Sequence, residues 1–177
     1  MGNILSSSYD YIDFRSNSKR LQTVKNLDSL RYSGNWYEIA KYPICWENNC
    51  ERSSATYSYD AANKQIIVVN KCLVNDKVVY ERRGVAWISN KQEPGKLKLR
   101  FVDDYPADTD KGEADYWIHW TDYDNYAIVG GPSGKYLWIL SRKETISKCD
   151  IHKLLDLVCE FGYNPLNLMA NPSVVLN

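Results

Sequence analysis

The sequence predicts an all-β fold: an eight-stranded antiparallel up-and-down β-barrel followed by one C-terminal α-helix. Three observations predict it. Aromatic residues make up 13% of the 177, led by 14 Tyr and 6 Trp, and such flat side chains suit a pleated surface. From Gly34 onward, short apolar or alternating runs recur between turn-forming residues, as successive hairpin strands do. One stripe of helical period comes after the last of these runs.

Residues 1–27 are polar and rich in Ser and Asn, without a sustained period, and read as an N-terminal arm. The domain spans 28–165, and 166–177 form a tail. Eight strands are expected at about 34–43, 52–60, 65–73, 77–89, 96–103, 114–122, 125–130 and 135–142. Turn chemistry separates them at Asp60 to Lys64, Asn75-Asp76, Pro94-Gly95 and Gly130 to Gly134. In "KLKLRF", Leu97, Leu99 and Phe101 alternate with Lys96, Lys98 and Arg100, which gives one buried and one solvated face. "IIVVN" and "YLWIL" are apolar throughout, so their facing is open, and their shortness favours strands over helix. After them Ser147 caps a helix whose stripe is Ile151, Leu154, Leu155, Val158 and Cys159, with Gly162 at its stop. Hairpin-length connections leave no room for parallel crossovers, and closure removes exposed edges. Eight strands enclose just enough space for side chains or one small ligand.

Composition and motifs exclude several functions. Lys+Arg and Asp+Glu each number 22, which makes nucleic acid a poor partner. No apolar run is long enough to span a bilayer, and the N-terminus lacks the apolar core of a secretion signal. With five cysteines (Cys45, Cys50, Cys72, Cys149, Cys159) and no signal, reduced thiols and an intracellular, cytosolic location are expected. His119 and His152 are the only histidines, too little for a His-based triad or metal site. Cys45 and Cys50 lack the second ligand pair of a metal site, and "GGPSGKY" lacks the phosphate-loop spacing and reads as a hairpin turn. No catalytic residue, metal or cofactor is expected.

Three stretches lie in order: "SGNWYEIAKYP", "WTDYDNYAIV" and "YLWILSR". Together they resemble the lipocalin family over about residues 28 to 165, joining Gly34, Trp36, Thr121, Asp122, Tyr123 and Arg142 in the expected spacing. Within the family, the first and last stretches look most like bacterial outer-membrane lipocalins, plant temperature-induced lipocalins and apolipoprotein D. The resemblance makes these six residues the barrel floor: Gly34 permits the tight entry into the first strand, Trp36 plugs the closed end, and Arg142 lies on the indole face.

If Trp36 points inward, alternation carries Glu38, Ala40 and Tyr42 inward with it, and the charges of "KLKLRF" turn Leu99 and Phe101 inward. The resemblance adds Val68, Asn70, Arg82, Gly84, Tyr116, Ile118, Trp120, Tyr136 and Trp138 to the expected lining. A bulge inverts the face of any strand it enters. Such an interior is aromatic but carries Glu38, Asn70 and Arg82, which need partners when buried; one arrangement pairs Glu38 with Arg82. The resembled branch implies a fatty acid or lysophospholipid, bound without chemistry. Two alternatives are an enzyme using a pocket thiol at Cys72, and a filled barrel that binds a protein. A monomer or weak homodimer is expected.

The opening "MGNILS" fits the pattern for myristate on Gly2, with Ser6 in the required place. A single acyl chain holds a membrane only reversibly. The expectation is therefore dynamic, peripheral attachment of a lipid-binding barrel.

Overall fold

The computed structural model describes residues 21–44, 50–102, 112–171 and 175–176. Gly2 and Cys45 lie outside the described residues. The eight expected strands form: β1 Gly34–Lys41, β2 Arg52–Asp60, β3 Gln65–Val74, β4 Lys77–Ile88, β5 Lys96–Phe101, β6 Glu113–Thr121, β7 Tyr126–Gly130 and β8 Leu137–Ser141. Each is antiparallel to the next. β8 returns to β1, with Tyr37 opposite Ser141 and Glu38 opposite Leu140, and the barrel closes. At the β3–β4 turn both Asn75 (φ 51°) and Asp76 (φ 62°) are left-handed, the two-residue turn whose twist matches the strands beside it.

Ahead of the barrel, Asp28 caps a single turn of helix, α1, Ser29–Tyr32, too short to leave a periodic signal. The strap from Leu21 to Leu27, assigned to the arm by its polarity, packs on the barrel instead. The Leu21 N–H donates to the Phe161 carbonyl (3.0 Å) and the Val24 N–H to that of Ile118 (2.9 Å), and Val24 and Leu27 cover the barrel core.

After β8 come β9, Thr145–Ile146, and α2, Lys148–Glu160. Ser147 caps α2 by accepting from the Asp150 N–H at 3.0 Å. Gly162, at φ +82°, ends it: the Gly162 and Tyr163 N–H groups donate to Cys159 and Val158, closing the last carbonyls. Leu154, Leu155, Val158 and Cys159 are buried, as the stripe predicts. They dock on the barrel's outer face at Ile39, Ile128, Leu137 and Ile139. The tail adds a 3-10 turn at Pro165–Asn167 and two short strands. β10, Met169–Ala170, pairs with the upper part of β1, and β11, Val175–Leu176, runs parallel to β9.

Two apolar cores result, one inside the barrel and one between the wall and α2. Bulges decide which residues belong to which. β1 shifts register between Glu38 and Ala40, β6 between Ile118 and Trp120, and the β3–β4 pair between Cys72 and Leu73.

Candidate ligand-binding barrel

The closed end is built as the resemblance implies. The Arg142 guanidinium lies 3.7 Å from the centre of the Trp36 ring and donates to the carbonyls of Arg31, Tyr123 and Asn35 at 2.8, 3.0 and 3.0 Å. Trp36 is fully buried, its indole N–H donating to the Tyr32 carbonyl at 2.8 Å. Gly34 sits at φ +102°, and a Cβ there would press on Arg142 at 3.1 Å. Thr121 Oγ1 accepts from the Tyr123 N–H (2.9 Å), and Asp122 accepts from the N–H groups of Asn125 and Tyr126 at 2.8 Å. These bonds fold the β6–β7 turn. Tyr123, at φ 66°, donates its hydroxyl to the Asn26 carbonyl and ties the strap to the floor.

Above the floor, Val68, Leu99 and Ile118 are buried in the inner core, with Phe101, Tyr116 and Trp138 packed against it. Gly84 stands between Val68 and Phe101 in the ladder, and a Cβ on it would collide with the Arg100 carbonyl at 2.6 Å. Three expected lining residues face outward instead. Ala40 and Tyr42 follow the β1 bulge, so they pack beneath the α2 segment; the Tyr42 hydroxyl donates to the Asn164 carbonyl at 2.9 Å. Trp120 follows the β6 bulge and joins the same outer core. One extra residue in a period of two reverses every side chain beyond it. Tyr136 precedes β8 and sits at the rim, 39% exposed and stacked on Trp138 at 6.1 Å.

Two deep lining residues went unassigned at the sequence level. The Tyr116 hydroxyl lies 2.8 Å from those of both Tyr32 and Tyr57. Burial pushes the Tyr32 and Tyr116 phenols well above their ordinary range. The alternation Ala55, Tyr57, Tyr59 against Thr56 and Ser58 carried a signal for Tyr57; Tyr32 carried none, being brought in by α1. The void among these rings and Ile66, Val68, Ala86, Leu97 and Leu99 is about 10 Å³, the room of a single water. The lower barrel is filled.

Polar groups lie in the wall above. Glu38, 7% exposed, pairs with Lys41 Nζ at 3.0 Å, so the expected Glu38–Arg82 pairing gives way to one within β1. The Arg82 guanidinium rests 3.8 Å from the centre of the Phe101 ring. Beside it in the ladder is Asn70, whose buried Oδ1 has no hydrogen-bond partner among the described residues. Cys72 continues the inward phase of Val68 and Asn70, but it is bonded to Cys50, with Cα atoms 5.3 Å apart. The expectation of reduced thiols fails for this pair, because the chain entering β2 brings Cys50 back against β3, a contact the spacing does not reveal. The bond also occupies the thiol on which the enzyme reading depended. Among the described residues, no cluster of three or more His, Cys, Asp or Glu could hold a metal.

His119 points outward, as its strand phase implies, and is 3% exposed. Its Nδ1 faces the Gln22 carbonyl at 2.6 Å and its Nε2 the Tyr163 hydroxyl at 2.8 Å. A carbonyl only accepts, so Nδ1 carries the proton and Nε2 accepts from Tyr163. Burial holds the imidazole below its ordinary range, which keeps it neutral as a structural link between strap, wall and tail.

Comparisons with known proteins agree with this architecture. Residues 27–173 match the family model of the lipocalin-like domain. The chain is 31% identical over 156 residues to temperature-induced lipocalin-1 of Arabidopsis thaliana, covering 87% of this chain and 83% of the relative. It is 36% identical over 146 residues to apolipoprotein D of Mus musculus, covering 78% and 72%. It is 31% identical over 146 residues to the outer membrane lipoprotein Blc of Citrobacter freundii, covering 82% and 78%. Among solved structures, insecticyanin of the tobacco hornworm Manduca sexta superposes with a TM-score of 0.66 at 24% identity, covering 85% of this chain and 82% of that one. With the Trp36–Arg142 floor, the closed eight-stranded barrel and the flanking α2 all in place, the chain belongs to the lipocalin family, whose members typically bind small hydrophobic ligands.

Proposed function

We propose that this lipocalin binds a small amphiphilic lipid, a fatty acid or lysophospholipid, and carries it without chemical change. The observation behind this reading is the buried Asn70 Oδ1, an acceptor without a partner among the described residues. A buried polar atom of this kind costs about 1–3 kcal/mol, and a hydroxyl or protonated carboxyl on a ligand would relieve it. An acyl chain does not fit the void of about 10 Å³, so the ligand sits above the tyrosine layer and displaces half-buried side chains such as Arg82, Phe101 and Trp138. Native mass spectrometry of the purified chain, followed by denaturation and extraction, tests the reading. A co-purifying amphiphile that is lost in Asn70→Leu supports it. A clean apo mass that takes up no added fatty acid or lysophospholipid refutes it.

The small void favours a second reading, a filled barrel whose surface binds a protein. An apo mass together with no displacement of side chains by any lipid, read by tryptophan fluorescence, would select it.

Attachment to the cytosolic face of a membrane through myristate on Gly2 belongs to the same proposal and rests on the opening sequence pattern. The Cys50–Cys72 bond weighs for an oxidising compartment. The N-terminal mass and thiol alkylation of protein taken from its native cells decide the two points separately.

A further inference from the structure

The β3–β4 hairpin carries the main apolar exposure of the barrel's open end. Val78, Val79 and Tyr80 are 50%, 57% and 44% exposed. Consecutive strand residues point to opposite faces, so neither face of this segment is covered. β5 joins β4 only from Gly84, with a last bond from the Val102 N–H to the Arg83 carbonyl; among the described residues the hairpin tip stands beyond the wall. Val102 (64%) and Tyr136 (39%) extend the apolar rim around the same end.

The tip is braced. The Asn75 N–H donates to the Glu51 carboxylate at 2.7 Å, and the Glu51 N–H to the Leu73 carbonyl at 3.0 Å. Arg52 pairs with Asp76, and the Cys50–Cys72 bond ties the same segments together. The tip is also cationic: between residues 71 and 83 stand Lys71, Lys77, Arg82 and Arg83 against only Asp76 and Glu81. Apolar side chains on a rigid projection, with basic residues behind them, are complementary to an anionic lipid surface.

We propose that the β3–β4 hairpin docks the open end of the barrel onto an anionic bilayer, with Val78, Val79 and Tyr80 entering the acyl boundary and Lys77 meeting lipid phosphates. The proposal extends the carrier reading and rests on it for its purpose, since docking would set the mouth against the lipid to be exchanged. The contact itself needs neither Gly2 acylation nor a filled cavity.

The test is co-sedimentation of the full chain, made in a bacterial host so that Gly2 is unacylated, with phosphatidylcholine vesicles with and without phosphatidylserine. The expected result is binding to the anionic vesicles that falls about tenfold or more in the double variant Val78→Asp with Val79→Asp. Lys77→Glu is expected to lose the preference for phosphatidylserine. Ile67→Asp, at a flank position 44% exposed, is expected to bind as the parent does, with thermal melts confirming that each variant folds. No binding by the parent chain, unchanged binding by the double variant, or an equal loss in Ile67→Asp would overturn the proposal. So would a double variant that changes only the sedimentation of the free chain, which would make the patch a self-association surface. Vesicle binding with no extractable amphiphile would retain the docking and refute the carrier.

Discussion

The His119 imidazole accepts a hydrogen bond from the Tyr163 hydroxyl at 2.8 Å, outside the barrel wall and beneath the turn that ends α2. Through it the N-terminal strap, β6 and the C-terminal segment share one buried polar contact. Its stability is pH-dependent. Burial lowers the folded value of His119 below its ordinary 6.5, so below about pH 6.5 the unfolded chain binds more protons than the folded one. Stability is therefore expected to fall as pH drops through 6.5 toward the folded value, and to level off below it. Asp60 and Asp150 are also held low, but their contribution is lost only in a more acidic window, below about 3.8. Urea melts between pH 7.5 and 5.5 are the measurement. A slope that survives in His119→Gln would assign the effect elsewhere.

Gly130 and Gly131 should respond differently to alanine. A Cβ on Gly130 would overlap the Tyr163 hydroxyl and come within 2.8 Å of the Tyr136 carbonyl, whereas one on Gly131 meets nothing closer than 3.9 Å. Gly130→Ala is expected to destabilise by about 1–3 kcal/mol, and Gly131→Ala by less than about 0.5 kcal/mol. Chemical denaturation of both variants checks this, and equal effects would mean that the wall yields at Gly130.

Tyr116→Phe removes the hydroxyl shared by Tyr32 and Tyr57. The expected cost is about 1–3 kcal/mol, because polar groups stay buried while the partner between them is lost. Replacing all three tyrosines with Phe should cost less than the sum of the single changes, since the buried hydroxyls leave together. Additive losses would argue against a coupled chain.

The Cys50–Cys72 bond joins residues 22 apart in sequence. Replacing both with Ser is expected to lower stability by about 3 kcal/mol through the freedom returned to the unfolded chain. Vesicle binding should weaken too, because the bond braces the hairpin tip. Denaturation with and without reductant gives the first effect, and parent and variant melting together would show that the bond contributes nothing.

Much of the fold was legible in local pattern. "KLKLRF" showed its facing through alternating charge, Asn75-Asp76 marked a turn that needs two left-handed residues, and Ser147 with Gly162 bracketed α2. The strap escaped notice because its polar composition conceals Val24 and Leu27, whose burial depends on a barrel surface far away in sequence. The lining was legible wherever alternation ran unbroken, at Val68, Leu99 and Tyr116, and misread at Ala40, Tyr42 and Trp120.

By itself the sequence determined the strand count, the closing helix and the Trp36–Arg142 floor. These depend on residues close in sequence, on periods of two and 3.6, and on a spacing shared with a family. Only the tertiary structure decided which wall residues face the cavity, that Glu38 takes Lys41 as a partner, that Cys50 meets Cys72, and that the tyrosine layer fills the lower barrel. A bulge is set by how β1 must bend to meet β8, and a disulfide by where two distant strand ends converge. Such long-range closure leaves no mark on the local pattern of any single strand.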